Sequence, residues 1–480
     1  MIRPFLFLLT LSAASANPIM PPPSLFRDPA FIKEFVGSYG FLSDIEPRVT
    51  PDEQAMLGSV RELFEASKFK EAEAAIQEFI ESKEKPKDRK SAPEEISPAM
   101  IFVLGNLYFQ ADRGEDARKQ FQEAIKRFPR FRRAYTNLGY LYISKNQTDL
   151  ALPMFQKAIE LGESSSRVYG LIGYCHLTRR NPLAAENAYR HAYLLDPSAR
   201  DWKLGLAQSL MAQEKFAEAA SMIGTLIEEN PNDKQLWLQQ THAYLALERK
   251  EDAAINLEIL RLKNLSDENN LNLLGNLYMD RNQPRLALEA YLAAIDKSST
   301  LDVSRALKSA RILNDYGHPE KAGEFIVKIR AKLGENIPDT NATALLLAEV
   351  RIAQSLKKTD TVGMLLSKLV EIDPANGEVL LELARHHDLL ATNEPDEEKR
   401  GALIQNARTN YQLALRFENI AYQANLALGQ MFVRERRYAE ALPLLESALN
   451  LKKSDSLEQY TSRVKRGADR QKLKEAKSSS

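Results

Sequence analysis

Six alanines stand in one phase along this chain: Ala117, Ala151, Ala185, Ala219, Ala253 and Ala287, each 34 residues after the one before. With alanine at roughly one position in ten, a given start would repeat this way about once in a hundred thousand trials. Chance is a poor explanation and an internal repeat is a good one. A repeat period constrains the architecture before any single residue is interpreted, because each unit must bury its face on the next.

Other slots keep the same phase. Twelve residues before each alanine stands a small residue: Gly105, Gly139, Gly173, Ala207, Thr241 and Gly275. Three residues later comes a large one, such as Tyr108, Tyr142, Leu210 or Tyr278. Four residues after each alanine is a bulky apolar residue: Phe121, Phe155, Tyr189, Ile223, Leu257 and Tyr291. Gaps of three and four place residues on one helix face. Small residues let two helices approach closely, and Pro129, Pro197 and Pro231 punctuate unit ends, where a helix cannot continue. Each unit therefore reads as two antiparallel helices joined by a short turn, such as Ala111–Gly114 or Lys145–Gln147.

This pattern resembles the tetratricopeptide repeat (TPR) family. Leu104, Gly105 and Tyr108 match the family's first helix; Ala117, Phe121 and Ala124 match its second, and Pro129 its closing turn. The clearest units run 98–131, 132–165, 166–199, 200–233, 234–267, 268–301 and 422–455, and weaker ones fit 53–86, 303–336, 343–376 and 377–421. The expected fold is all-α, an α-solenoid of about eleven antiparallel helix pairs. The phase slips around Asn336–Asp339, and Thr392–Asp396 reads as an insert that lengthens an interhelix turn. A division near Ile337 would give an N-terminal block over 52–336 and a C-terminal block over 337–456.

The ends lie outside the repeats. Residues 1–16 read as a secretory signal, with Arg3, an apolar run Phe5–Leu11 and Ala14–Ser15–Ala16 as the cleavage site. No cysteine follows that site, so an exported, periplasmic or secreted chain without a lipid anchor is expected, and no later segment could span a bilayer. Over 17–51, Pro21–Pro23 predicts an extended linker and Asp28–Gly37 a short helix presenting Phe31, Ile32, Phe35 and Val36. That stripe could cap the first repeat, lie in the protein's own groove or dock a partner. Over 457–480 the tail carries Arg463, Lys465, Arg466, Arg470, Lys472, Lys474 and Lys477. It reads as a solvated helix end, or more sharply as a weak contact for anionic envelope polymer or lipid.

Composition excludes several classes of function. The chain holds 65 basic and 65 acidic residues, which argues against nucleic-acid binding. Cys175 is the only cysteine, so no intramolecular disulfide forms and the residue reads as a small apolar filler. The six histidines are scattered, and the adjacent His386 and His387 would point about 100° apart on a helix. No HExxH, phosphate loop or nucleophile elbow appears, so neither an enzyme nor a cofactor or metal site is expected. Glycosylation motifs at Asn146, Asn264 and Asn341 fall in expected turns.

The resemblance implies a concave face lined by the first helix of each unit, where the family holds extended peptides or partner helices. The residues it should present here are Asn106, Phe109, Arg133, Asn137, Tyr140, Arg167, Tyr174, Gln208, His242, Asn272 and Asn276. Asn and Gln can pair with a peptide backbone whatever its sequence. Arg can clamp a carboxylate with two parallel bonds. Some members of the family grip a C-terminal carboxylate with two Asn and several basic residues. Asn106, Asn137 and Arg167 fall on three of those slots, but Phe102 and Leu171 stand where Lys or Arg is wanted. A looser groove for a protein or peptide partner is the better expectation. The expected role is an exported scaffold for an envelope or secretion complex; the alternative is an accessory subunit of polysaccharide export or cell-wall synthesis.

Overall fold

A 34-residue unit has room for two helices of three to four turns and two short links, and the structure is built from that unit. The computed structural model describes residues 46–66, 68–85, 94–334 and 337–478. The expected signal over 1–16, the linker at Pro21–Pro23 and the helix over Asp28–Gly37 lie outside those residues. Among the described residues there are twenty-three α-helices and no strand. Twenty-two of them form eleven consecutive hairpins, so the chain is an all-α solenoid of helix pairs.

Two compact units divide the chain, residues 1–256 and 257–480. In the first, the hairpins are α1 and α2 (Pro51–Glu65, Phe69–Glu84), α3 and α4 (Pro98–Gln110, Gly114–Arg127), and α5 and α6 (Arg132–Ser144, Thr148–Glu160). Then come α7 and α8 (Ser166–Thr178, Pro182–Leu195), α9 and α10 (Arg200–Ala212, Phe216–Glu229), and α11 and α12 (Lys234–Ala246, Lys250–Leu262). The division falls inside α12. In the second unit follow α13 and α14 (Glu268–Asp280, Pro284–Lys297), α15 and α16 (Val303–Asp315, Pro319–Leu333), and α17 and α18 (Asp339–Ser355, Thr359–Ile372). The last pairs are α19 and α20 (Gly377–Asn393, Glu397–Ala414) and α21 and α22 (Ala421–Arg434, Tyr438–Leu451), with α23 (Asp455–Ser478) packed on α22.

The turns carry the period as clearly as the alanines do. Asp112, Asn146, Arg180, Glu214, Glu248 and Asn282 all have φ between 54° and 60°, and they recur every 34 residues. Each sits just past the end of a first helix. The next residue's N–H then reaches back to a carbonyl in the last turn, as in Arg113 N to Tyr108 O at 2.8 Å and Gln147 N to Tyr142 O at 2.8 Å. This is the six-residue closure that satisfies otherwise orphaned helix carbonyls. It reverses the chain in three residues, so the second helix returns against the first.

Packing follows from the small residues. All six in-phase alanines are fully buried, at 0 % exposure, which makes them contact points between helices rather than surface fillers. The Tyr189 ring of α8 lies between two glycines, one in its own hairpin and one in the next. A Cβ on Gly173 would stand 2.8 Å from Tyr189 Cδ2, and one on Gly205 would stand 2.3 Å from its Cε1. One apolar cluster runs from Val60 to Ala219 in this way. In the second unit, Tyr411, Leu428, Phe432 and Leu445 are among the residues of another.

Three local expectations need correction. The division does not fall at Ile337. The phase slip there is absorbed by α17, which has 17 residues where α3 and α5 have 13, and α16 packs on α17 across it. The insert at Thr392–Asp396 does not lengthen a turn. It extends α19 and α20 to 17 and 18 residues, and the Asp396 carboxylate accepts from Glu398 N at 3.1 Å and Lys399 N at 3.0 Å, so the second helix starts at once. Asn146 and Asn264 stand in turns, with φ of 57° and 58°, but Asn341 lies in the first turn of α17.

Candidate functional site

Of the expected site residues of the first unit, the structure brings Asn106 and Asn137 together, and Asn106, Asn137, Tyr140 and Tyr174 are buried rather than presented on a surface. Asn106 of α3 and Asn137 of α5 are 1 % and 5 % exposed, and Asn137 Nδ2 donates to Asn106 Oδ1 at 2.9 Å. Buried amides are costly unless hydrogen-bonded, and each of these answers the other across adjacent hairpins. Tyr140 is buried with its ring edge-on to Phe155, 5.6 Å between centroids. Phe109 is half-buried against the apolar cluster. Tyr174 is buried, its hydroxyl donates to Asn146 Oδ1 at 3.4 Å, and burial raises its pKa. Arg167 and Gln208 are half-buried, and His242 sits edge-on to Phe216 at 6.2 Å.

Arg133 holds the most specific contact. Its Nε donates to both carboxylate oxygens of Glu46, each at 3.1 Å, and the second arginine, Arg132, has Nη2 3.9 Å from Glu46 Oε1. The Arg133 guanidinium also lies over the Phe102 ring, 5.5 Å from its centroid. A cation on an aromatic face keeps its in-plane N–H groups directed outward, ready for an anion. Phe102, whose slot lacks the basic residue that a carboxylate grip would want, thus supports the basic residue of the next hairpin.

Glu46 was not among the expected residues. Burial raises its pKa above the ordinary carboxylate value, against the opposing pull of Arg133 and Arg132. No local pattern marks Glu46. What the sequence does carry is its anchor, Thr50-x-x-Glu53, the reciprocal cap that opens a helix. Glu53 Oε2 accepts from Thr50 N at 2.8 Å, and Glu53 Oε1 accepts from Ser97 N at 2.7 Å, which ties the start of α1 to the start of α3.

The remaining two expected residues are in the second unit, and they bond to residues of that unit. Asn272 Nδ2 donates to Glu268 O at 2.9 Å, and its Oδ1 accepts from Ser309 Oγ at 3.4 Å. Asn276 Oδ1 accepts from the Tyr291 hydroxyl at 2.8 Å. Among the described residues, no group of three His, Cys, Asp or Glu is placed to hold a metal, and no helix is long and apolar enough to cross a membrane.

Models of the tetratricopeptide repeat family match residues 102–166, 176–241 and 425–458. None of the curated proteins matches the chain by sequence. Among solved structures, the chain is similar to Naa15/Naa10 bound to HypK-THB, at 15 % identity and a TM-score of 0.42, over 86 % of this chain and 66 % of that one. It is similar to YrrB, described as a TPR protein with an unusual peptide-binding site, at 19 % identity and a TM-score of 0.34, over 45 % and 97 %. It is also similar to a tetratricopeptide repeat protein from Parabacteroides merdae, at 14 % identity and a TM-score of 0.33, over 55 % and 98 %. The family models match where the alanine period is strongest and again at the last hairpin, and the chain is a tetratricopeptide repeat protein.

Proposed function

We propose that this chain is an exported, non-enzymatic scaffold that holds a protein or peptide partner on the first-helix face of its first compact unit, in the service of a cell-envelope or secretion assembly. The observation that carries the reading is Arg133, which lies on a first helix with its guanidinium over the Phe102 ring and already engages a carboxylate from elsewhere in the chain. A stacked guanidinium is a group that recognises acidic side chains. The half-buried Phe109, Arg167, Gln208 and His242 continue the first-helix face, and Asn272 and Asn276 hold the corresponding positions in the second unit. The export component rests on residues 1–16 alone.

In-cell crosslinking of the full chain, followed by mass spectrometry, tests this reading. The expected result is one recurrent protein crosslinked between Asn106 and Tyr174, recovered from the exported fraction. Recovery of the chain only from the cytoplasm would remove the export component.

A second reading, an accessory role in polysaccharide export or cell-wall synthesis, is favoured by α23. Leu457, Thr461, Val464 and Ala468 form its buried seam, while Arg463, Lys465, Arg466 and Arg470 are exposed. Retention on an anionic polysaccharide column, lost when those four are changed to Gln, would favour it.

A further inference from the structure

We infer that a cavity in the second compact unit, lined by α19, α20 and α21, is a binding site for a carboxylate carried on a short apolar stem. The site is separate from Arg133 and does not rest on the scaffold reading. The cavity has a volume of about 450 Å³, within the range of small-ligand clefts. Tyr411 of α20 lines it, although the residue as a whole is only 1 % exposed. The Tyr411 hydroxyl has no hydrogen-bond partner among the described residues, yet it is not sealed from solvent, so the cavity is where it meets water or a ligand. Burial, and then the charge of Asp388, raise its pKa against the opposing pull of Arg385 and Arg434, so near neutral pH the hydroxyl keeps its proton and can donate it.

The groups around that hydroxyl favour an acceptor. The charged lining residues are Arg385 and Asp388 of α19 and Arg434 of α21, an excess of one positive charge. Arg434 Nη2 donates to Asp388 Oδ2, which answers the one carboxylate in the lining. Arg385 Nη1 donates to Glu382 Oε1 at 2.8 Å, but Glu382 is buried outside the cavity, where Gln354 Nε2 also donates to it at 2.9 Å. Both arginine side chains stay substantially exposed. Gln423 and Gln430 are exposed at the cavity's edge, seven residues apart and so on one face of α21. Each of their amides offers a donor and an acceptor. The exposed Leu389 and the half-buried Leu426 put apolar surface beside these polar groups. Donors and positive charge call for a carboxylate, and the leucines call for methylene groups to carry it. A bare anion would leave the leucines uncovered, and an apolar group alone would leave the Tyr411 hydroxyl without a partner. The same chemistry comes from two sources, a free carboxylic acid or an acidic side chain of another protein.

The test is saturation-transfer NMR on the full-length protein with two probes. Hexanoate stands for the free acid, and N-acetyl-glutamic acid α-amide carries its carboxylate as an acidic residue does. At least one should bind, and the tighter of the two identifies the source. Their neutral counterparts, hexanamide and N-acetyl-glutamine α-amide, should bind about ten-fold or more weakly. Tyr411→Phe, which removes the hydroxyl and keeps the ring, should weaken binding by about ten-fold, the loss expected for a hydrogen bond to a charged group. Gln430→Glu, which adds a negative charge at the exposed edge without touching the core, should weaken binding and Gln430→Lys should strengthen it. These two variants decide the matter if Tyr411→Phe melts early. Failure of both probes to bind, equal binding of acids and neutral counterparts, binding indifferent to these substitutions, or displacement by equimolar inorganic phosphate would overturn the inference. None of these readouts involves the first-helix face of the first unit. Absence of a crosslinked partner there would leave this site standing, and failure of both probes would leave the scaffold reading standing.

Discussion

The ring of Phe155 lies so close over Gly139 that a Cβ on the glycine would stand 2.5 Å from Phe155 Cε1. The two residues belong to opposite helices of one hairpin and occupy the small and bulky slots of the repeat. Their contact sets how closely α5 and α6 approach. Gly139→Ala should therefore destabilise the protein by about 1–3 kcal/mol, the usual cost of overpacking a filled core. Gly58→Ala is the contrast: beyond its own turn of backbone nothing is in contact with its Cβ position in α1, so the helix-interior gain of about 0.5–1 kcal/mol should appear instead. Thermal melts of the two variants should shift in opposite directions.

The left-handed turn residues make a second prediction. Glu214 has φ of 60° without being glycine or asparagine. Left-handed backbone costs an ordinary L-residue roughly 1–2 kcal/mol, and a β-branched side chain fares worse. Glu214→Val should lower the melting temperature and Glu214→Gly should hold or raise it. A Val variant as stable as the original chain would show that the turn is not left-handed.

Glu186 sets an acid limit on stability. Burial opposes its ionisation, but hydrogen bonds from Lys215, Gln213 and Arg190, at 2.7, 2.7 and 2.8 Å, outweigh that and lower its pKa to about 2. A carboxylate with a depressed folded pKa contributes stability above its unfolded value, and the contribution is lost as pH falls through the folded value. The window is therefore from about 4.5 down to about 2, and the contribution at neutral pH is up to about 3 kcal/mol. Denaturant titrations at pH 7 and pH 3 should show the difference between Glu186→Gln and the original chain shrinking at the lower pH. An unchanged difference would contradict the network.

Cys175 should be chemically silent in the native state. It is fully buried, and burial pushes its thiol pKa up to about 12, so very little thiolate exists near neutral pH. Labelling by a thiol reagent should be slow and should accelerate only when denaturant opens the hairpins. Rapid stoichiometric labelling of the folded protein would show that α7 opens on its own.

Much of this was legible in the sequence, for a physical reason. The Gly–aromatic–Ala slots recur because close helix packing admits few residue types, so Gly139, Phe155 and Ala151 declare their contact in advance. The extra length in α17, α19 and α20 was harder to place. Thr392–Asp396 has the composition of a turn, yet Asp396 caps the next helix directly, and the added residues wind into the flanking helices. The Asn106–Asn137 bond was half-visible: the phase puts both residues on first helices, but only the packing of adjacent hairpins turns their amides toward each other. The Glu46–Arg133 contact had no sequence signal at all. It is a single pair between non-repeat and repeat segments, and one isolated glutamate carries no periodicity.

The measurement that tests the central claim most directly is site-specific photocrosslinking in cells. The probe is placed in turn at Arg167 and Gln208 on first helices, and at Leu183 and Leu194, which are exposed on the second helix α8. The account predicts that one protein is captured from the first two positions and not from the other two, and that Arg133→Ala reduces its capture while the melting curve stays cooperative. Capture of the same protein only from Leu183 and Leu194, or capture indifferent to Arg133, would contradict it.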